Sequence, residues 1–334
     1  MKTKSILNLI AAFAIVWLTG CSKSDTDTPK AAGATNAPAP MAVTKTTLTA
    51  SKNIWSTLPI VAKQQGFFQQ EGLDVQINYV QAAKLAMDAL VAGSTDFANV
   101  VDPNVAFLAF SGNKDVVVVG TIVKSHDSAI VARKSAGITS PQDLKGKKLG
   151  VLQGTTSQIF AERFLEKNGL RYADVQAQNL QPVAIQTALI EKQIDAGSVW
   201  QPFVHNLQKQ LGDDAVVFTA PDAYIGYMNV AVRKEWVGKN EATVAAYIRA
   251  LRKAEAFVAK NTDAAQALVA TEINLGPDIV KSIWSQYEFG LGLDKAALLK
   301  VVTEEGQWIK RTQPGFESKE VPDYSGYFDD RFVR

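Results

Sequence analysis

Residues 149–157 read LGVLQGTTS. Leu149, Val151 and Leu152 form the short apolar run of a buried strand. Gly154 opens a turn, and Thr155, Thr156 and Ser157 lead into Ile159, Phe160, Phe164 and Leu165 at helical spacing. A helix starting there leaves its first N–H groups without partners, and its dipole adds about +0.5 of an elementary charge at that end. Gly154 lets backbone come close to a ligand, and the three hydroxyls both donate and accept. The chemistry these residues suit is capture of a small anion, or of the anionic end of a larger molecule. The same residues could instead form an ordinary N-cap with Thr or Ser as the capping residue.

Other polar and aromatic residues fall just past strand-like runs, where open α/β sheets bind ligands. Asn53, Trp55 and Ser56 follow the first run, and Asp102 and Asn104 flank Pro103. His126 and Ser128, with Ser125 and Asp127, sit between two β-like segments. Gln153, Gly154, Thr155, Thr156 and Ser157 form the turn, Trp200 follows a later run, and Tyr224 precedes another. Together these are the candidate ligand-binding residues. Each also has a plainer role open to it: Trp55 and Trp200 as core, His126 as an exposed or hydrogen-bonding loop residue, Tyr224 as rim packing. Lys52, Lys124 and Arg233 are three separate candidates for a cation facing an anion.

The residue inventory opposes catalysis. The chain has two His and one Cys, and neither His has a second ligand at metal spacing. No Gly-x-Ser-x-Gly elbow, Walker motif or dinucleotide fingerprint occurs. No catalytic residue, metal site or cofactor is expected. Lys and Arg number 35 against 33 Asp and Glu. Residues 1–20 hold Lys2 and Lys4 and no acid, so the remainder balances at 33 of each sign. Balanced charge without basic clusters argues against nucleic acid as a partner.

The elements that must position these residues begin after a processed end. Lys2 and Lys4 precede an apolar stretch at 6–18 interrupted by Asn8, and then Leu18-Thr19-Gly20-Cys21. This is the layout of a secretory signal, too short to span a bilayer comfortably. Leu-Thr-Gly-Cys resembles the bacterial lipobox, and the resemblance implies cleavage before Cys21 and lipid on its sulfur and new amino terminus. Residues 22–44, rich in Ser, Thr, Ala, Pro and Asp, read as a tether that cannot bury enough surface to fold. Expected segments are a signal at 1–20, a lipidated Cys and tether at 21–45, one lobe at 46–134, a second at 135–225, and a return to the first lobe with C-terminal helices at 226–334.

Within the body, strand and helix patterns alternate. Strands are expected at 47–51, 74–80, 97–101 and 116–123, with helices at 58–70, 82–92 and from Pro103. The pattern restarts after Pro141, with strands at 149–152, 175–180, 196–199 and 215–218 and helices at 157–167, 183–193 and 203–211. This predicts an α/β protein of two lobes, each a mostly parallel sheet flanked by helices. AIVARK at 129–134 and NVAVRK at 229–234 look alike and are read as neighbouring strands of the first lobe, where the chain leaves and returns. Helices are expected at 241–260, 264–271, 278–287 and 294–311, and an aromatic, charged tail on the surface at 323–334.

Over about residues 47–310, the chain resembles the solute-binding proteins of bacterial ABC importers with the two-crossover, type II fold. Within them it resembles the sulfonate, taurine and nitrate group, which includes binders of pyrimidine precursors. The segments that carry the resemblance are LPIVAKQQGFFQQEGLDV (58–75), AGSTDFANV (92–100), ITSPQDLKGKKLGVLQGTTS (138–157) and IDAGSVWQPF (194–203). It implies a closing cleft, a monomer, and delivery of a small solute to a membrane permease. Type II binders of polar amino acids place an Arg where this chain has Ala129, and an Asp where it has Trp200. Those departures speak against an α-amino acid ligand and for an organic anion, with a neutral pyrimidine or thiamine precursor as the alternative. A pyrimidine synthase with a similar sheet uses a cysteine-rich segment that this chain lacks. A ligand sensor would need the same cleft.

Overall fold

The computed structural model describes residues 43–334; the signal, Cys21 and most of the tether lie outside the described residues. The first α/β run is β1 (Thr44–Ser51), α1 (Thr57–Gln64), α2 (Phe67–Gln70), β2 (Leu73–Val80), α3 (Ala83–Val91), β3 (Phe97–Val101), α4 (Asp102–Phe110) and β4 (Val116–Ser125). The helix expected at 58–70 is thus two helices, parted at Gln65 and Gly66. The second run is β5 (Ser128–Arg133), β6 (Lys148–Val151), α5 (Thr156–Lys167), β7 (Gln176–Asn179), α6 (Pro182–Ile190), β8 (Ala196–Trp200), α7 (Phe203–Leu211) and β9 (Ala215–Phe218). The chain returns through β10 (Gly226–Arg233) and ends with α8 (Lys234–Lys260), α9 (Thr262–Ile273), α10 (Pro277–Ile283), β11 (Tyr287–Gly292) and α11 (Lys295–Thr312).

The strands form two sheets, in the orders β11-β4-β10-β3-β1-β2 and β7-β6-β8-β5-β9. Both are mixed, but most strands of each run one way, as the mostly parallel sheets expected require: β1, β2, β3 and β4 in the first and β6, β7, β8 and β9 in the second. β10 runs antiparallel to β3 and β4, and β5 antiparallel to β8 and β9. Connectivity explains this. The strands of the βαβ units carry their C-terminal ends to the interlobe side. A strand entered by a crossing starts on that side and runs the opposite way. The look-alike segments are therefore not neighbours: β5 belongs to the second sheet and β10 to the first. The first crossing lies between Ser125 and Ser128, ahead of the boundary expected at 134/135. β11, an edge strand on β4, had no counterpart in the sequence reading.

One apolar cluster covers a face of the first sheet with α1, α8 and α9, through Leu48, Leu58, Phe97, Val230, Tyr247 and Val269. A second covers the opposite face and continues through α4 and α11 to the α5 side of the second sheet, joining Val100, Val118, Ile130, Val151 and Phe160. The C-terminal tail contributes Tyr324, Tyr327 and Phe328, all buried, to this second cluster. It was expected on the surface, but Phe328 bridges to Val118 of β4. No helix among the described residues is long and apolar enough to cross a membrane.

Candidate functional site

Between the ends of the two sheets lies a cavity of about 20 Å³, close to what one ordered water needs. Its first-sheet side is made by Ser51 at the end of β1, by Asn53 and Trp55 just after it, by Val101 at the end of β3, and by Met228 of β10. Its second-sheet side is made by Trp200 at the end of β8 and by Thr155 and Thr156 at the start of α5. Ala82, Ala83 and Lys84, at the start of α3, complete it.

Two helix N-termini thus open on one small space. Ala82 is the N-cap of α3 and Thr155 the N-cap of α5, and no side chain caps either helix. The Thr155 hydroxyl donates instead to Leu152 O at 2.7 Å, so the ordinary capping bond is not made. The first amides of both helices remain for a ligand or solvent. The one ionisable side chain among the lining residues is Lys84, whose Nζ lies 3.1 Å from Asp88.

The turn at 153–157 is held from several sides. Gly154 has φ +73, a conformation that costs a residue with Cβ. Its N–H donates to Gln158 Oε1 at 2.9 Å, and Gln158 Nε2 donates to Gln313. The Gln153 N–H donates to Asn179 Oδ1. The Ser157 hydroxyl donates to Ser198 O at 2.8 Å and the Ser198 hydroxyl to Ser157 O at 2.7 Å, fixing α5 to β8.

On the first-sheet side, Asn53 Oδ1 accepts from the Trp55 backbone N–H, and the Ser56 hydroxyl donates to Ser51 O at 2.7 Å. These bonds shape the turn that presents the Trp55 indole to the cavity. Asn104 Oδ1 accepts from Val101 N–H, and its Nδ2 donates across the lobes to Gly154 O at 3.0 Å.

The candidate residues therefore separate. Asn53, Trp55, Thr155, Thr156 and Trp200 line the cavity. Asn104, Gln153 and Gly154 line an adjoining interlobe groove of about 570 Å³, which shares Lys84 with the cavity. Ser56 and Ser157 brace the walls from behind. His126, Ser128 and Tyr224 belong to the crossings, and Asp102, the first residue of α4, is bonded to the return crossing. Asp102 accepts from Tyr224 Oη and Tyr227 N–H, both at 2.9 Å, so its carboxylate is occupied away from the cavity. Burial raises its pKa and that of the buried Glu305 beside it. His126 Nδ1–H donates to Pro221 O at 2.8 Å, one crossing to the other. Ser128 opens β5 opposite Trp200.

The three candidate cations face elsewhere. Lys52 lies over Tyr79 and Lys124 over Tyr227, and Arg233 donates to Leu90 O and Thr95 O. The sequence reading placed this helix at 82–92 but did not name its start as part of the site. Its signal was there: VQAAKLAM (80–87) is again a strand end followed by a helix, but without the Gly and hydroxyls that marked residues 153–157.

A protein of Brucella abortus (strain 2308) that carries the provisional name of a binding protein is 29% identical over 219 residues, covering 63% of this chain and 65% of its own length. Two solved structures share the fold. The alkanesulfonate-binding protein of Xanthomonas axonopodis pv. citri, bound to MOPS, has a TM-score of 0.74 at 18% identity, over 86% of this chain and 98% of the other. The periplasmic aliphatic sulphonate binding protein of Escherichia coli has a TM-score of 0.71 at 19% identity, over 85% and 96%. A family model described as NMT1/THI5 like matches residues 53–265. With that match over more than half the chain, and with the two-lobed architecture of periplasmic binding proteins, this protein belongs to the NMT1/THI5-like family.

Proposed function

We propose that the protein is an extracytoplasmic solute-binding lipoprotein that captures a small organic anion, sulfonate-like, between its lobes and delivers it to an ABC permease. The observation that carries this reading is the pair of uncapped helix N-termini, α3 and α5, opening on one cavity walled by Trp55 and Trp200 and lined by no acid. Each helix end contributes about 0.3–2 kcal/mol toward an anion, whereas micromolar binding needs about 8 kcal/mol. Charge-assisted bonds from the free amides and the Thr156 hydroxyl, about 1.5–3 kcal/mol each, supply the rest. The indoles strengthen those bonds by keeping water out. The names of the Xanthomonas and Escherichia coli proteins support sulfonates as the first class to try.

Calorimetry against alkanesulfonates, taurine, nitrate, a hydroxymethylpyrimidine and α-amino acids tests the reading. Alkanesulfonates are expected to bind at micromolar Kd or better. The reading is falsified if a neutral pyrimidine or an amino acid binds tightly while every anion fails. The anchor has its own test: Cys21→Ser should abolish lipid labelling and release the protein in soluble form outside the cytoplasm. A Cys21→Ser protein that stays membrane-bound without label would show the anchor to be misassigned.

A further inference from the structure

Trp55 touches both crossings as well as the cavity. Its indole Nε1 donates to Asp127 Oδ2 at 2.7 Å, and Asp127 lies on the first crossing. Tyr287, the first residue of β11, donates its hydroxyl to the same oxygen at 2.8 Å, and the Trp55 and Tyr287 rings meet edge to face. Asp127 is itself fixed, since its N–H donates to Ser125 Oγ at 3.0 Å and it is 3% exposed. On the return crossing, a Cβ placed on Gly226 would stand 2.5 Å from Cη2 of the indole. The ring therefore lies against backbone that only glycine permits. Ser125, Gly226 and Tyr287 are register partners side by side.

We propose that Asp127 is a positioning residue for ligand capture: with Gly226 it locks the Trp55 indole as a cavity wall and ties that wall to both interlobe crossings. Given the reading of the cavity as the ligand site, a ligand pressing on the indole acts directly on the segments about which the lobes turn. Only Oδ2 of Asp127 is used; Oδ1 has no hydrogen-bond partner among the described residues. Asn at this position can offer one carbonyl oxygen to the same two donors. Ala leaves both donors buried without an acceptor, a loss that weakens a dependent site by about tenfold.

The test has two arms on the full-length protein. In the first, without ligand, ¹⁵N NMR follows the indole N–H signals, with Trp55→Phe identifying the Trp55 peak. Slow solvent exchange is expected for that peak in the wild type and in Asp127→Asn. Fast exchange and a shifted resonance are expected in Asp127→Ala. Gly226→Ala should move the same peak by displacing the ring, which also covers the case in which Asp127→Ala fails to fold. Unchanged exchange of the Trp55 peak in both Ala variants overturns the proposal.

In the second arm, calorimetry uses ethanesulfonate. Asp127→Ala should weaken it about tenfold and Asp127→Asn less than about threefold. In a Trp55→Phe background, Asp127→Ala should add less than about twofold, because the two residues act as one unit. A full tenfold loss in that background means Asp127 does not act through Trp55, and also overturns the proposal. If ethanesulfonate fails on the wild type while the exchange results hold, Asp127 is upheld as the residue that positions the indole and ethanesulfonate is excluded as the ligand; the anion reading falls only if the rest of the anion panel fails too.

Discussion

Two neighbouring threonines at the start of α5 have different work. Thr155 spends its hydroxyl on Leu152 O, so Thr155→Val should cost the fold about 1 kcal/mol. Thr156 lines the cavity at the next position. Thr156→Val should weaken an anionic ligand by about tenfold while leaving the melting temperature nearly unchanged. Paired calorimetry and thermal melts separate them, and equal effects on both observables would remove Thr156 from the ligand contacts. Glu162, on the same helix, concerns stability instead. It is 1% exposed and neither carboxylate oxygen has a hydrogen-bond partner among the described residues. Burial, then repulsion from Glu166, pushes its pKa up to about 8, against the opposing pull of Arg311 and Thr312. The folded state therefore holds this proton more tightly than the unfolded chain. The stability it confers is complete below about pH 4.5 and is lost as pH rises through about 8. Glu162→Gln should remove that slope, matching the wild type near pH 4.5 and exceeding it by on the order of 5 kcal/mol at pH 9. Urea titrations at the two pH values check it. Asp102, Asp127 and Glu305, all raised by burial, leave a residual slope of the same sign in the variant.

At the level of elements, α6 decides how closely the second sheet is covered. A Cβ on Gly197 of β8 would meet Ile185 Cγ2 at 2.4 Å, and one on Gly150 of β6 would meet Ile194 Cδ1 at 2.8 Å. Helix and sheet thus touch through two glycines, and Ile185 and Ile194 fill the space a side chain would take. Gly197→Ala should overpack this contact and cost about 1–3 kcal/mol, with Ile185→Val recovering part of it. A chemical denaturation curve measures both variants, and no loss for Gly197→Ala would mean α6 lies further from the sheet. The strand that carries Gly197 also carries Trp200, a cavity-lining residue, at its end. The segment AGSVW at 196–200 reads in sequence as a buried strand. That it needs glycine for the sake of α6 does not.

For the whole molecule, the structure is in a state with its lobes together. Asn104 reaches Gly154 across the interface, Gln158 reaches Gln313, and the cavity between has about 20 Å³. An organic anion larger than a water molecule cannot enter that space unless the lobes part. In solution scattering, the ligand-free protein should have the larger radius of gyration, and a tight ligand should reduce it. Superimposable scattering curves with and without a bound ligand would rule out closure as the mode of capture.

What the amino-acid sequence determined by itself is local. The turn at 153–157, its helix and the alternation of strand and helix are written in residues a few positions apart, through periodicity and turn chemistry. The low count of His and Cys is likewise read without any fold. Which strand enters which sheet was decided by tertiary structure, because AIVARK and NVAVRK have the same local preference and differ only in the neighbours available to them. The cavity follows the same rule. Ala82 and Ala83 have no side-chain chemistry to announce a site, and they join Thr155 and Trp200 only when the lobes meet. The bond from Trp55 to Asp127 spans 72 positions, and neither residue's surroundings in the sequence name the other.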